Sequence, residues 1–238
     1  MFELVIQTLY KGELKLKFTN FENFVCIAGH QIGILRGYID DPQSYLNEVS
    51  KDFEKRFQER ESLGVYKNLT KDSIILDIGS GVGILDMLLY LYLDGGKFYL
   101  LDKDEVNHDH TVAHWSEGHG WYNDWSVLED IIACSDISRE NFVLLDPQMQ
   151  WPNNTNLINS TYSYLWHYPL DTYWSKIQQQ NASLCFDILN RSEDNKSKIS
   201  KYLNKECKYT DKPQVAFHWF KKDLILEDGS PGKVCYWQ

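Results

Sequence analysis

From Ser73 onward, short and nearly unbroken apolar runs alternate with longer segments whose apolar residues recur at helical spacing. Runs of four to seven residues that tolerate no polar face read as strands buried on both sides, and the periodic segments between them as covering helices. This places strands at 73–78, 97–102, 142–146, 156–160 and 182–188, with two more at Val215–Phe220 and Val234–Trp237. The loop containing Asp228-Gly229-Ser230-Pro231-Gly232 makes the last two a terminal hairpin or a long return. Ser192–Lys212 is polar and lysine-rich, and reads as a solvated helix and loop. Upstream, Phe21, Phe24, Val25, Ile27 and Ile32 mark a core-facing segment, and Gln43–Lys67 a charged amphipathic helix begun near Pro42. The expected organisation is an N-terminal helical extension over 1–70, acting as a cap or as structural padding, and an α/β domain over 71–238.

The first strand runs into the most informative stretch of the chain, Ile74-Ile75-Leu76-Asp77-Ile78-Gly79-Ser80-Gly81-Val82-Gly83. Gly79, Gly81 and Gly83 permit a tight strand-to-helix turn at positive φ and leave the backbone open to close approach. Ile84, Leu85, Leu88 and Leu89 then repeat at helical spacing until Gly95-Gly96 ends the helix. The next strand, Lys97-Phe98-Tyr99-Leu100-Leu101, ends at Asp102, placed as a partner for a ribose diol. A dinucleotide site requires G-x-G-x-x-G; here the third glycine comes one residue early and Ile84 occupies its place. Asp77 before the loop would repel a pyrophosphate and favour an ammonium or sulfonium. S-adenosylmethionine carries both cations and no phosphate.

The D-x-G-x-G-x-G form with an acidic end to the following strand resembles class I S-adenosylmethionine-dependent methyltransferases. The resemblance implies a doubly wound, mostly parallel, seven-stranded Rossmann-like sheet. It further implies that Asp77 orients the methionine ammonium through the loop and that Asp102 accepts the ribose hydroxyls. Asp146, which ends the third strand before Pro147, would meet the adenine amino group; an ordinary turn cap is the alternative. After the fourth strand, Ser160–Pro169 is the densest aromatic cluster in the chain and falls where such enzymes present acceptor-side residues. Tyr162, Trp166 and Tyr168 are accordingly expected to bind the acceptor. His167 is the expected general base, since its ordinary pKa near neutrality suits removal of a hydroxyl proton; the alternative is a histidine holding the loop to the extension. Gly120-Trp121-Tyr122-Asn123-Asp124 and Trp166-His167-Tyr168-Pro169 resemble a less characterised group of methyltransferase-like proteins assigned to sugar O-methylation. This finer resemblance covers about 74–190.

Composition narrows the partners. A chain of 238 residues, 43% of them hydrophobic, can bury a full core, and a formal net charge of −10 argues against general affinity for nucleic acid or an anionic membrane. The expected partner is a small polar acceptor. Asn159-Ser160-Thr161-Tyr162 raises the rival of base N-methylation, but lacks the two prolines of that motif. A non-catalytic binding protein of the same fold is the other rival. The run Asp102–His110 with His114 holds metal donors, yet Asp102 is assigned to the ribose and no metal is expected. Cys26, Cys134, Cys185, Cys207 and Cys235 are scattered and odd in number, as in a reduced cytoplasmic protein. No targeting segment is read at the N-terminus.

Overall fold

A computed structural model describes residues 42–102, 125–133, 137–161, 163–165, 169–189, 193–211 and 232–238. Its centre is one seven-stranded sheet: β1 (Ile74–Ile78), β2 (Lys97–Leu101), β3 (Phe142–Leu145), β4 (Leu157–Ser160), β5 (Ser183–Leu189), β6 (Lys208–Asp211) and β7 (Gly232–Trp237). The spatial order is β3-β2-β1-β4-β5-β7-β6. The first five strands pair in parallel, and β7 is antiparallel to both β5 and β6. This is the doubly wound, mostly parallel sheet expected from the alternating pattern, and its order reverses between β1 and β4, where the crevice of such a sheet opens.

Alternation within the strands divides the core. Ile75, Phe98, Phe142 and Leu157 face one side, with Val82, Met87 and Leu88 of the first crossover and Leu128, Ile131 and Ile132 of helix α3 (Trp125–Ala133). Leu76, Ile78, Ile158, Phe186, Ile188 and Trp237 face the other, joined by Ile199 of helix α5 (Glu193–Leu203). Phe98 and Phe142 stack across neighbouring strands with centroids 5.1 Å apart. Helix α1 (Pro42–Ser62) lies against helix α2 (Ile84–Leu93), with Phe53 in the first of these cores. The short helix α4 (Trp174–Ile177) precedes β5.

One strand is not signalled by the sequence pattern. β6 occupies Lys208–Asp211, inside the segment read as solvated helix and loop, whose helical part is α5. An edge strand pairs on one side only, so Lys-Tyr-Thr-Asp needs no apolar run and carries none. The expected strand Val215–Phe220 lies outside the described residues, as do the N-terminal residues through 41.

Candidate functional site

The carboxyl ends of β1, β2, β3 and β4 lie level at one edge of the sheet. Asp77 pairs with Asn159, Ile78 with Leu101, and Leu101 with Leu145. The backbone continues this registration past the strands: Gly79 N–H donates to Leu101 O (2.7 Å) and Asp102 N–H to Leu145 O (3.1 Å). Gly79, Gly81 and Gly83 take φ of 73°, 56° and 66°, so each occupies the left-handed region that a side chain disfavours. Two of them also answer to packing. A Cβ on Gly79 would stand 1.9 Å from Ser163 Oγ, and one on Gly83 3.1 Å from Leu100 Cδ1. Ser163 thus brings the segment after β4 directly onto the glycine loop.

Asp102 locks that loop. Its Oδ2 accepts the Gly81 N–H at 2.8 Å, which ties the middle of the loop to the end of β2 and leaves the carboxyl half-exposed beside it. Ser80 Oγ is buried with no hydrogen-bond partner among the described residues. Its hydroxyl thus stands unpaired in a turn of positive-φ glycines. Asp146 is placed at the same edge, but its Oδ1 accepts the Gln148 N–H at 2.8 Å and so caps the turn that follows Pro147.

Asp77 is 2% exposed and lies beneath the loop, not on its surface. Asn159 Nδ2 donates to Asp77 Oδ1 at 2.9 Å. On the other side stands Asp86, from the first turn of α2, also buried. Burial and the charge of Asp77 push the Asp86 carboxyl well above the usual range, with a side-chain hydrogen bond between the two. Burial moves Asp77 itself to about 6, against the opposing effects of the Asp86 hydrogen bond, the Arg60 charge and the Asn159 amide. The two carboxyls therefore titrate as a coupled pair set under the turn.

The positive counterpart comes from α1. Arg60 is 0% exposed and donates from Nε to Asn159 Oδ1 (3.2 Å) and from Nη2 to Asp187 Oδ1 (2.9 Å) and Thr161 Oγ1 (2.8 Å). These residues stand on the α1/α2 side of the sheet, where Asp77, Asn159 and Asp187 interrupt otherwise apolar strands. Asp86, Arg60 and Asp187 did not enter the sequence-based site, although a carboxylate inside SLCFDIL and another inside ILDMLL were signals for it. Arg60 is hidden in the sequence because α1 is charged along its whole length.

The aromatic cluster after β4 divides. Tyr164 is fully buried, meets Phe186 edge-on at 5.4 Å, and donates its hydroxyl to Leu170 O. Tyr164 N–H donates to Ser160 Oγ, and Ser160 Oγ–H to Ile78 O, which fastens the segment to β1. Leu165, also buried, has φ 64° and turns the chain sharply at that point. Tyr162, Trp166, His167 and Tyr168 lie outside the described residues, as does the histidine run 103–114. Among the described residues no group of three side chains could hold a metal ion, and no helix is long and apolar enough to cross a membrane. Among the described residues, Cys185, Cys207 and Cys235 form no disulfide.

No family model matches the chain, and no curated protein matches it in sequence. Solved structures do. A candidate sarcosine dimethylglycine methyltransferase from Galdieria sulphuraria aligns over 92% of this chain and 97% of its own, with a TM-score of 0.54 at 12% identity. The magnesium protoporphyrin IX methyltransferase from Synechocystis PCC 6803, solved with bound SAM, aligns over 98% and 96%, with a TM-score of 0.51 at 11% identity. At such identities the likeness is one of architecture, and with the strand order and the antiparallel β7 it establishes that this chain has the class I methyltransferase fold.

Proposed function

We propose that the protein is an S-adenosylmethionine-dependent methyltransferase that methylates an oxygen of a small polar acceptor such as a sugar. The observation that carries the proposal is the hydrogen bond from Gly81 N–H to Asp102, which joins a positive-φ glycine turn to the acidic end of β2 at the sheet's switch point. The residues fit the cofactor. Gly79, Gly81 and Gly83 shape the turn around the methionyl part, Ser80 offers its unpartnered hydroxyl, and the buried charge of Asp77 attracts the ammonium through the loop. Asp102 accepts the ribose hydroxyls and Asp146 lies toward the adenine. When bound, the cofactor supplies an electrophilic methyl group on a sulfonium. What remains for the chain is to position the acceptor and remove its proton. His167 is assigned that proton, and Tyr162, Trp166 and Tyr168 the acceptor surface.

Asn159 bears on the nitrogen-methylating rival. Its amide is engaged at both ends, by Arg60 and Asp77, and is 4% exposed, so no amide face is left for a flipped base. The acidic balance of the chain and a cytoplasmic setting belong to the same reading. So does the division at residue 70, with the 1–70 segment lending Arg60 to the core of 71–238.

Titration calorimetry tests the proposal. S-adenosylmethionine and S-adenosylhomocysteine should bind and NAD should not, and Gly81→Leu should abolish binding in a protein that still melts cooperatively. Labelled cofactor offered with pools of sugars, nucleotides and nucleic acids should then transfer its methyl group to the sugar pool. Absence of binding to both adenosyl ligands would overturn the assignment.

A further inference from the structure

Arg60 makes more contacts than an ion pair needs. Neutralising Asp187 takes one donor, yet the guanidinium also reaches Asn159 on β4 and Thr161 just beyond it, and Nη1 donates to Arg56 O at 3.4 Å on its own helix. A lysine could supply the charge but not this planar fork. The fork has a directional consequence. Because Nε–H occupies Asn159 Oδ1, the amide nitrogen must point to Asp77 Oδ1; reversed, it would set N–H against guanidinium and oxygen against carboxylate. Arg60 and Asp77 therefore fix the Asn159 amide between them, the guanidinium from the oxygen side, beneath the glycine turn. Through Thr161 it also holds the root of the segment whose Ser163 packs on Gly79.

We propose that Arg60 is a positioning residue for methyl transfer: from the N-terminal helix it orients the Asn159 amide toward Asp77 and anchors Thr161, thereby fixing the glycine turn and the acceptor-side segment relative to one another. This rests on the methyltransferase reading. Tyr66, Asp86, Cys185 and Asp187 also act on the network, and none of them can replace the fork, since a phenol, thiol or carboxyl offers at most one proton.

The test compares the wild type with Arg60→Lys, with Thr161→Val, and with the double variant Arg60→Met/Asp187→Leu, which removes both buried charges together so that neither is stranded. Two readouts are followed: amide hydrogen exchange in the 157–165 peptide against the 97–101 peptide, and calorimetric affinity for S-adenosylhomocysteine. In the double variant, exchange over 157–165 should rise at least about tenfold with 97–101 unchanged, and affinity should fall about tenfold, the scale of one charge-assisted hydrogen bond lost. Arg60→Lys should keep the wild-type melting temperature but not the wild-type affinity. Retention of both by lysine would show that charge alone matters and overturn the proposal, as would unaltered exchange and affinity in the double variant. Should the double variant fail to fold, Thr161→Val decides, since it should loosen 157–165 alone; unaltered exchange there refutes the anchoring. Wild-type protein that binds no S-adenosylhomocysteine would instead remove the methyltransferase reading, and the exchange comparison would still report on the anchor.

Discussion

Asp102 and Asp77 are both carboxylates at strand ends, yet their surroundings assign them different work. Asp102 is half-exposed and already accepts one backbone N–H from the loop it faces. Its replacement by alanine removes that tether along with the proposed ribose contact, and should weaken S-adenosylhomocysteine binding by about 1–3 kcal/mol while the melting temperature changes little. Calorimetry on Asp102→Ala checks this; unchanged affinity would assign the diol to another residue. His167 rests on chemistry and sequence position. If it is the base, His167→Ala should keep cofactor affinity and lose about 10²–10⁴ in methyl-transfer rate, together with any rate dependence on an ionisation near neutral pH. Full activity in that variant would return His167 to a structural role and direct attention to Tyr162 and Tyr168. Tyr164 is set apart from that group, because its ring is core and its hydroxyl is spent on Leu170 O.

At the scale of elements, α1 is bound to the sheet by a charge as well as by Phe53. The guanidinium of Arg60 and the carboxylate of Asp187 are each 0% exposed, and removing one partner strands the other away from water. Arg60→Met alone should therefore cost about 3–5 kcal/mol of stability, most of which returns when Asp187→Leu is added. Denaturant unfolding of the two variants measures the difference, and equal losses would mean that Asp187 finds another partner. The same element explains the limits of pattern reading. Five parallel strands were legible because burial on both faces forces a continuous apolar run, and the glycine turn because positive φ admits few residues. β6 was not, since an edge strand is under neither constraint. Nor was the role of Arg60, whose partners stand 99, 101 and 127 residues away.

The whole molecule responds to pH through the Asp77 and Asp86 pair. Burial raises both carboxyls above their ordinary range, Asp77 to about 6, so the folded state holds protons that the unfolded chain has released. The sign is the reverse of the usual salt-bridged carboxylate: the contribution of Asp77 is full below the ordinary carboxylate pKa and is lost as pH rises through about 6, and that of Asp86 is lost as pH rises through its own raised pKa. Asp86→Asn keeps a permanent N–H donor toward Asp77, with no proton to lose. Its melting temperature should consequently fall less than that of the wild type between pH 5 and 7.5, as read by scanning calorimetry; parallel curves would show that the carboxyls do not share a proton.

Local chemistry was enough for the sequence to determine the five parallel strands, the turn at Gly79–Gly83 and the acidic end of β2, since each depends on residues adjacent in the chain. The same residues already pointed to a nucleoside ligand with a cation and no phosphate. Only the tertiary structure decided where charge resides. It put Asp77 under the turn and not in the crevice, set the buried Asp86 against it, closed Asp146 onto its own turn, and brought Arg60 across to Asn159, Thr161 and Asp187. The physical reason is that a buried charge is tolerated only where partners converge on it, and convergence is a property of the folded sheet that no window of sequence contains.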